Sequence, residues 1–240
     1  MSTETYQFAV SGLKVDVVRK QIKNLHLGVY PPRGRIRVAA PLGLTRDAVR
    51  LAVIDKLTWI KRQRAKFEAQ PRQSEREFVS GETHYFLGRR YRLRVRERSG
   101  RAEVVLNGKH GLTLYVRQRT SPEGRERLLL EWYRAQLKEL AGPLLTKWQN
   151  ALGVRVNSWG VRKMKTKWGS CNPKTGHILI NLELAKKPVQ CLEYVIVHEL
   201  VHLLERKHND RFIALMDTHL PTWKQHRDEL NATPLSAECW

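Results

Sequence analysis

The longest near-continuous apolar stretch of the chain runs from Leu192 to Leu204, interrupted only by Glu193, His198, Glu199 and His202. Opened by Pro188, where a first helical turn tolerates proline, it predicts a buried helix. Upstream, Pro122 opens a second helical pattern carrying Leu128, Leu129, Trp132, Leu137, Leu140, Leu144, Leu145 and Trp148, which Gly142-Pro143 should bend or break. A third helix starts near Arg46 behind a Thr45 N-cap and runs through Val49, Val53, Leu57 and Ile60. Asn209 and Asp210 are good N-caps for a helix from about Arg211 to His219.

The remaining pattern alternates. Residues from Tyr6 to Ala39 read as strands with a turn at Pro31-Pro32-Arg33-Gly34, and Ile36 to Ala40 alternates as a strand. The polar stretch Glu68 to Glu77 reads as a linker. Strands resume at Tyr85–Arg96, Ala102–Leu106 and Leu112–Val116, with turns at Asn107-Gly108 and His110-Gly111. Two short strands, around Trp159–Met164 and His177–Leu182, lead into the apolar helix. The strand holding Ile178 and Ile180 is expected to be an edge against which an extended peptide pairs. The fold class is α+β, with a β-rich basic N-terminal region over residues 1–120 and a mainly helical part over 121–240. There is no internal repeat and no low-complexity segment.

Composition adds bounds. With 240 residues, 41% of them hydrophobic, the chain can bury one sizeable core or two small ones. Met1 to Lys20 mixes polar and charged residues, unlike a signal peptide, and no apolar run is long enough to span a membrane. Three cysteines, Cys171, Cys191 and Cys239, suit a reducing cytoplasm better than a disulfide framework. The expectation is a cytoplasmic protein with no membrane partner.

The chemistry lies in His198-Glu199-Leu200-Val201-His202, an H-E-x-x-H motif. Histidines at i and i+4 project from one helix face and can bind one metal ion together. Glu199 lies about 100° round the helix, where it can take a proton from a water held by the metal. Zinc suits imidazole ligands, and three protein ligands leave a position for water. Candidates for the third ligand are His208, His219, His226 and a few acids. If the motif helix ends near Lys207, His208 falls in the following turn beside the metal face. Cys171 is near enough to ligate or shield a metal, and also reads as a buried small apolar residue. Tyr194, Asn181 and His219 are candidates for stabilising an oxyanion.

Beyond the motif, the segment YVIVHELVHLLERKHNDRF (Tyr194 to Phe212) and His219-Leu220-Pro221-Thr222-Trp223 resemble the YgjP-like metallopeptidase family, a zincin group related distantly to SprT-like proteases. Lys167-Trp168-Gly169-Ser170-Cys171 and Gly176 to Leu184 resemble that family's WGSC-containing strand pair. The resemblance is strong from about Val154 onward and weaker before. It implies a zincin-like domain over 121–240, one zinc ion per chain on His198, His202 and His208, Glu199 as base, and a protein or peptide substrate. Val201 departs from the small residue usual in relatives, which affects packing and not ligation.

Charge adds a second theme. The net +21 is uneven: residues 1–120 hold 26 Lys and Arg against 10 Asp and Glu, and residues 121–240 hold 18 against 13. In Arg90-Tyr91-Arg92-Leu93-Arg94-Val95-Arg96 a strand would carry an arginine ladder on one face. Such a ladder reads as a nucleic-acid surface or as a solvated basic face without a dedicated partner. Two other functions therefore stand beside a zinc peptidase. One is a metal-dependent hydrolase of nucleotides or other phosphoanhydrides. The other is a nucleic-acid-binding protein with a structural zinc. Oligomeric state is not legible.

Overall fold

The computed structural model describes residues 4–30, 34–69, 76–164 and 167–232. The expected turn residues Pro31 to Arg33, residues 70–75 of the expected linker, and Cys239 lie outside the described residues. The chain forms two compact units, one built on residues up to 73 and the other on residues 74–233.

The first unit holds four strands, β1 (Thr5–Val10), β2 (Leu13–Lys20), β3 (His26–Tyr30) and β4 (Arg35–Pro41), in the order β1-β2-β4-β3. Two helices follow, α1 (Arg46–Asp55) and α2 (Leu57–Ala69). Val15, Val17, Ile36 and Val38 alternate inward on β2 and β4 and pack with Val49, Val53 and Ile60 into the core. The expected Thr45 cap is present, its hydroxyl accepting from the Ala48 N–H. The single helix expected here is two, interrupted at Lys56, whose N–H turns back to the Val53 and Ile54 carbonyls. The second helix then brings Ile60 into the same core, while Leu51 and Ile54 are exposed. Helix α2 also takes in Glu68 and Ala69 from the expected linker.

The second unit opens with a sheet of β5 (Thr83–Phe86), β6 (Arg89–Glu97), β7 (Glu103–Asn107) and β8 (Gly111–Val116), ordered β5-β6-β8-β7. The expected strand from Tyr85 to Arg96 is a hairpin, because Leu87 and Gly88 both adopt positive φ, as a two-residue turn requires. The inner face of this sheet, with Phe86, Tyr91, Leu93, Leu112 and Leu114, shares one core with Leu129, Tyr133 and Leu137 of α3 (Pro122–Leu152). The Tyr133 hydroxyl donates to the Tyr85 carbonyl at 2.7 Å. The units thus divide between residues 73 and 74, whereas the sequence places the boundary at 120/121. Strand character and basic charge suggested that earlier line, but the sheet cannot bury its apolar face without α3.

Helix α3 runs through Pro143 without the break that was one expected outcome. Leu137, Ala141, Leu145, Trp148 and Leu152 are all buried along one stripe. Burying each large apolar side chain stabilises by about 1.5–3 kcal/mol, which together exceeds the ~3 kcal/mol an interior proline costs. After α3 come β9 (Ser158–Arg162), β10 (Gly169–Asn172) and β11 (His177–Asn181), ordered β10-β11-β9. The strand carrying Ile178 and Ile180 is therefore central, not the expected edge: both side chains are fully buried, and its backbone pairs on both sides. The edge is β10. A 3-10 turn (Leu182–Lys186) leads to α4 (Val189–Val201), α5 (Asp210–His219) and α6 (Trp223–Ala232). The tip of the β5–β6 hairpin docks on that turn, Leu87 N–H donating to Ala185 and Gly88 N–H to Lys186. Among the described residues no helix is long and apolar enough to cross a membrane.

Candidate metal centre

Helix α4 is buried along nearly its whole length, with Leu192, Val195, Ile196, Val197 and Leu200 in the core. That packing fixes the axis on which His198 and His202 stand one turn apart, their ring centroids 4.9 Å from each other. The helix ends at Val201, earlier than the expected Lys207. Leu203 is only half-buried and Leu204 is exposed, so no core holds a further turn in place. The chain instead tightens through Leu203 N–H to Leu200 and Leu204 N–H to Val201. Ending early turns the Glu205 carbonyl back toward the helix, 3.1 Å from His202 Nδ1. With Nδ1–H donated there, the Nε2 lone pair of His202 is free for another partner.

His208 enters from the turn before α5. That helix begins as its caps predict, the Asn209 side chain accepting from the Phe212 N–H at 3.0 Å. The cap sets Phe212, which is buried, beneath all three imidazoles at 4.7–5.0 Å between ring centroids. The His208 and His198 Nε2 atoms are 3.1 Å apart. One nitrogen from each of His198, His202 and His208 lies within 4.8 Å of the others, the one such metal-competent group among the described residues. Burial, then the neighbouring imidazoles, hold His198 down at about 3, and burial first also lowers His202. Both rings are therefore neutral near pH 7, the state in which imidazole ligates a metal. The donor set and its protonation fit zinc. His198 Nδ1 is buried with no hydrogen-bond partner among the described residues.

Glu199 projects to the side of this triad. Its carboxyl is almost wholly enclosed, and burial raises it to about 7 against the opposing charge of Lys167. Gly169 of β10 makes room for it: a Cβ there would lie 2.6 Å from Glu199 Oε1 and 2.7 Å from its Cγ. His198, His202, His208 and Glu199 line one open cleft of about 460 Å³, walled by β10 and by Tyr194, with Lys167 and Arg206 also on its lining. Cys171 lines the cleft outside the three-histidine group, its thiol pushed up to about 11 by burial and then by Glu199.

The oxyanion candidates separate. Tyr194 faces the cleft, edge-on to His198 at 5.8 Å and stacked on Trp223. Asn181 does not line it; fully buried, its carboxamide donates to the Met164 and Lys167 carbonyls and accepts from the Met164 and Glu183 N–H groups. It anchors the segment that leads into β10. His219, at the end of α5, and His226, bonded to Thr222, are not on the lining either. Sequence reading missed Phe212, Gly169, Lys167 and Arg206. Of these, Phe212 left a signal three residues after a capping asparagine, and Lys167 and Gly169 lie in the block that resembles the family's strand pair without a role being read from it.

A family model described as YgjP-like, metallopeptidase domain, matches residues 23–233. No curated protein matches the chain. Similar solved structures include the metallopeptidase zymogen abylysin of Pyrococcus abyssi, 21% identical over 38% of this chain and 90% of that one, with a TM-score of 0.35. Another is the metallopeptidase zymogen jannalysin of Methanocaldococcus jannaschii, 19% identical over 39% and 92%, with a TM-score of 0.32. Because the family match takes in nearly the whole chain, motif helix and cleft included, this chain belongs to the YgjP-like metallopeptidases and is a metal-dependent hydrolase.

Proposed function

We propose that the chain cleaves peptide bonds with one zinc ion held by His198, His202 and His208 and with Glu199 as general base. The observation that carries this reading is the convergence of three imidazoles beside a buried carboxyl in an open cleft. A bound zinc lowers the pKa of a water on it and polarises a carbonyl. Glu199, held near pH 7, takes the proton of the attacking water and passes it to the leaving amine. The outer edge of β10, which no other strand pairs among the described residues and which lines the cleft, pairs with an extended peptide. Tyr194, whose phenol burial pushes above its ordinary range, donates a hydrogen bond to the developing oxyanion. A structural zinc would take a fourth Cys or His, and the group contains only three histidines among the described residues.

Lys167 and Arg206 on the lining favour a second reading, a phosphoanhydride substrate at the same centre. One experiment separates the two: the purified protein is incubated with casein and with nucleoside triphosphates, each with and without a chelator. Chelator-sensitive cleavage of casein alone supports the peptidase. Chelator-sensitive hydrolysis of the triphosphates with casein intact replaces it with the second reading.

A further inference from the structure

We infer that the outer face of the β5–β8 sheet binds single-stranded nucleic acid through Arg90, Arg92, Arg94 and Arg96 of β6. Their neighbours Tyr91, Leu93 and Val95 turn toward the α3 core, so the four arginines share the opposite face, and all four are exposed. Strand β6 pairs with β5 over Arg89–Arg92 and with β8 over Arg92–Glu97, so Arg90 and Arg92 face outward beside β5 and Arg94 and Arg96 beside β8. Alternate residues of a strand stand about 7 Å apart, comparable to consecutive phosphates on an extended single strand. Guanidinium forks match phosphate oxygens and also stack on bases.

The surroundings of the file point the same way. Register places Tyr85 of β5 opposite Arg90 and Tyr115 of β8 opposite Arg96, so an aromatic ring flanks each end. The Arg90 guanidinium lies 5.9 Å from the Tyr85 ring, and that of Arg98 lies 4.1 Å from the Tyr115 ring. The one acid on this face among the described residues, Glu103, is already paired with Arg98 at 2.5 Å. Arg92, Arg94 and Arg96 have no ion pair among the described residues. Four like charges along one strand face repel, a cost to the fold that a polyanion would relieve. Rings beside a cationic track are what base stacking needs. Of the outward positions on β5, β7 and β8, only Val105 is a large aliphatic residue, so the face offers little to insert into a lipid surface.

The test uses the full-length protein and fluorescence anisotropy with labelled oligothymidylate and oligouridylate, the matching duplex, and vesicles containing phosphatidylserine, at low and moderate salt. Two variants each remove four charges. One changes Arg90, Arg92, Arg94 and Arg96 to glutamine; the other changes Arg127, Lys138, Arg155 and Lys174, which are exposed elsewhere in the same unit. The ladder variant should bind the single strands at least tenfold more weakly, with the salt slope reduced by about 3, while the second variant keeps most of the affinity. Tyr85→Leu with Tyr115→Leu should weaken binding at an unchanged salt slope. Should the fourfold ladder variant fail to fold, Arg92→Gln with Arg94→Gln serves, and about half the change in slope is expected. Equal losses in the two fourfold variants, tighter binding of duplex or vesicles than of single strands, or no binding at low salt would each overturn the assignment.

Discussion

At the scale of single residues, the centre depends on a close approach between two elements far apart in sequence. Glu199 lies against the backbone of Gly169, where an added methyl would fall 2.6 Å from Oε1. Gly169→Ala must therefore displace the carboxyl from beside the triad without touching a histidine. Zinc content should stay near one per chain, while hydrolysis falls by roughly ten- to a hundredfold, the usual result of a misplaced catalytic group. Glu199→Gln gives the reference: zinc retained and turnover lowered at least about a hundredfold. Metal analysis beside initial rates checks both, and a normal rate in Gly169→Ala would remove the positioning argument. The sequence already exposes His198, Glu199 and His202, because a helix period alone brings them to one side. His208 is legible as a turn residue before a capped helix. Gly169 and Arg206 are not, since what matters about them is which distant backbone or cleft they meet.

At the scale of elements, local signals were read well where they are chemical. Thr45, Pro122 and Asn209 each open the helix expected of them. Misreadings fall where packing overrides local preference: α3 passes through Pro143 because its buried stripe continues, and α4 stops where Leu204 has no core to enter. The hairpin hidden between Tyr85 and Arg96 has a turn without the Asn-Gly or Asp-Gly signal. Strand β5 also carries a buried titratable group, His84, held down at about 4 by burial first and then by Arg76, with Glu82 at 3.0 Å opposing. Between about pH 6.5 and 4 the unfolded chain binds a proton at this position that the folded chain excludes. Stability therefore falls as pH drops through that window, by up to about 3 kcal/mol from His84 alone. His84→Gln, which keeps an amide beside Glu82, should flatten the slope of stability against pH there by up to one proton. Denaturant titrations at several pH values measure that slope, and an unchanged slope would show that His84 protonates freely in the fold.

At the scale of the whole molecule, the contrast between a basic, strand-rich first half and a helical second half is a property of the sequence that does not coincide with its folding units. The β5–β8 sheet and α3 are one hydrophobic body, joined through Phe86, Leu93, Leu114, Leu129, Tyr133 and Leu137, all buried. The hairpin tip of that sheet is hydrogen-bonded to the turn immediately before the motif helix. Strand alternation reports which face of a sheet is apolar but not which helix will cover it, and for that reason the line drawn from sequence at residue 120 differs from the division into compact units at residue 73. Two truncations decide between the lines of division. A chain beginning at Ser74 keeps the whole second core and should unfold cooperatively, bind zinc and retain hydrolysis. A chain beginning at Ser121 keeps every proposed ligand yet strips the sheet from α3, exposing Leu129, Tyr133 and Leu137. Uncovering three such side chains costs on the order of 5–9 kcal/mol, comparable to the entire stability of a small domain. It should aggregate or lack a cooperative transition in calorimetry. Cooperative unfolding with full zinc binding in the Ser121 form would restore the boundary at residue 120 and make the sheet dispensable to the centre.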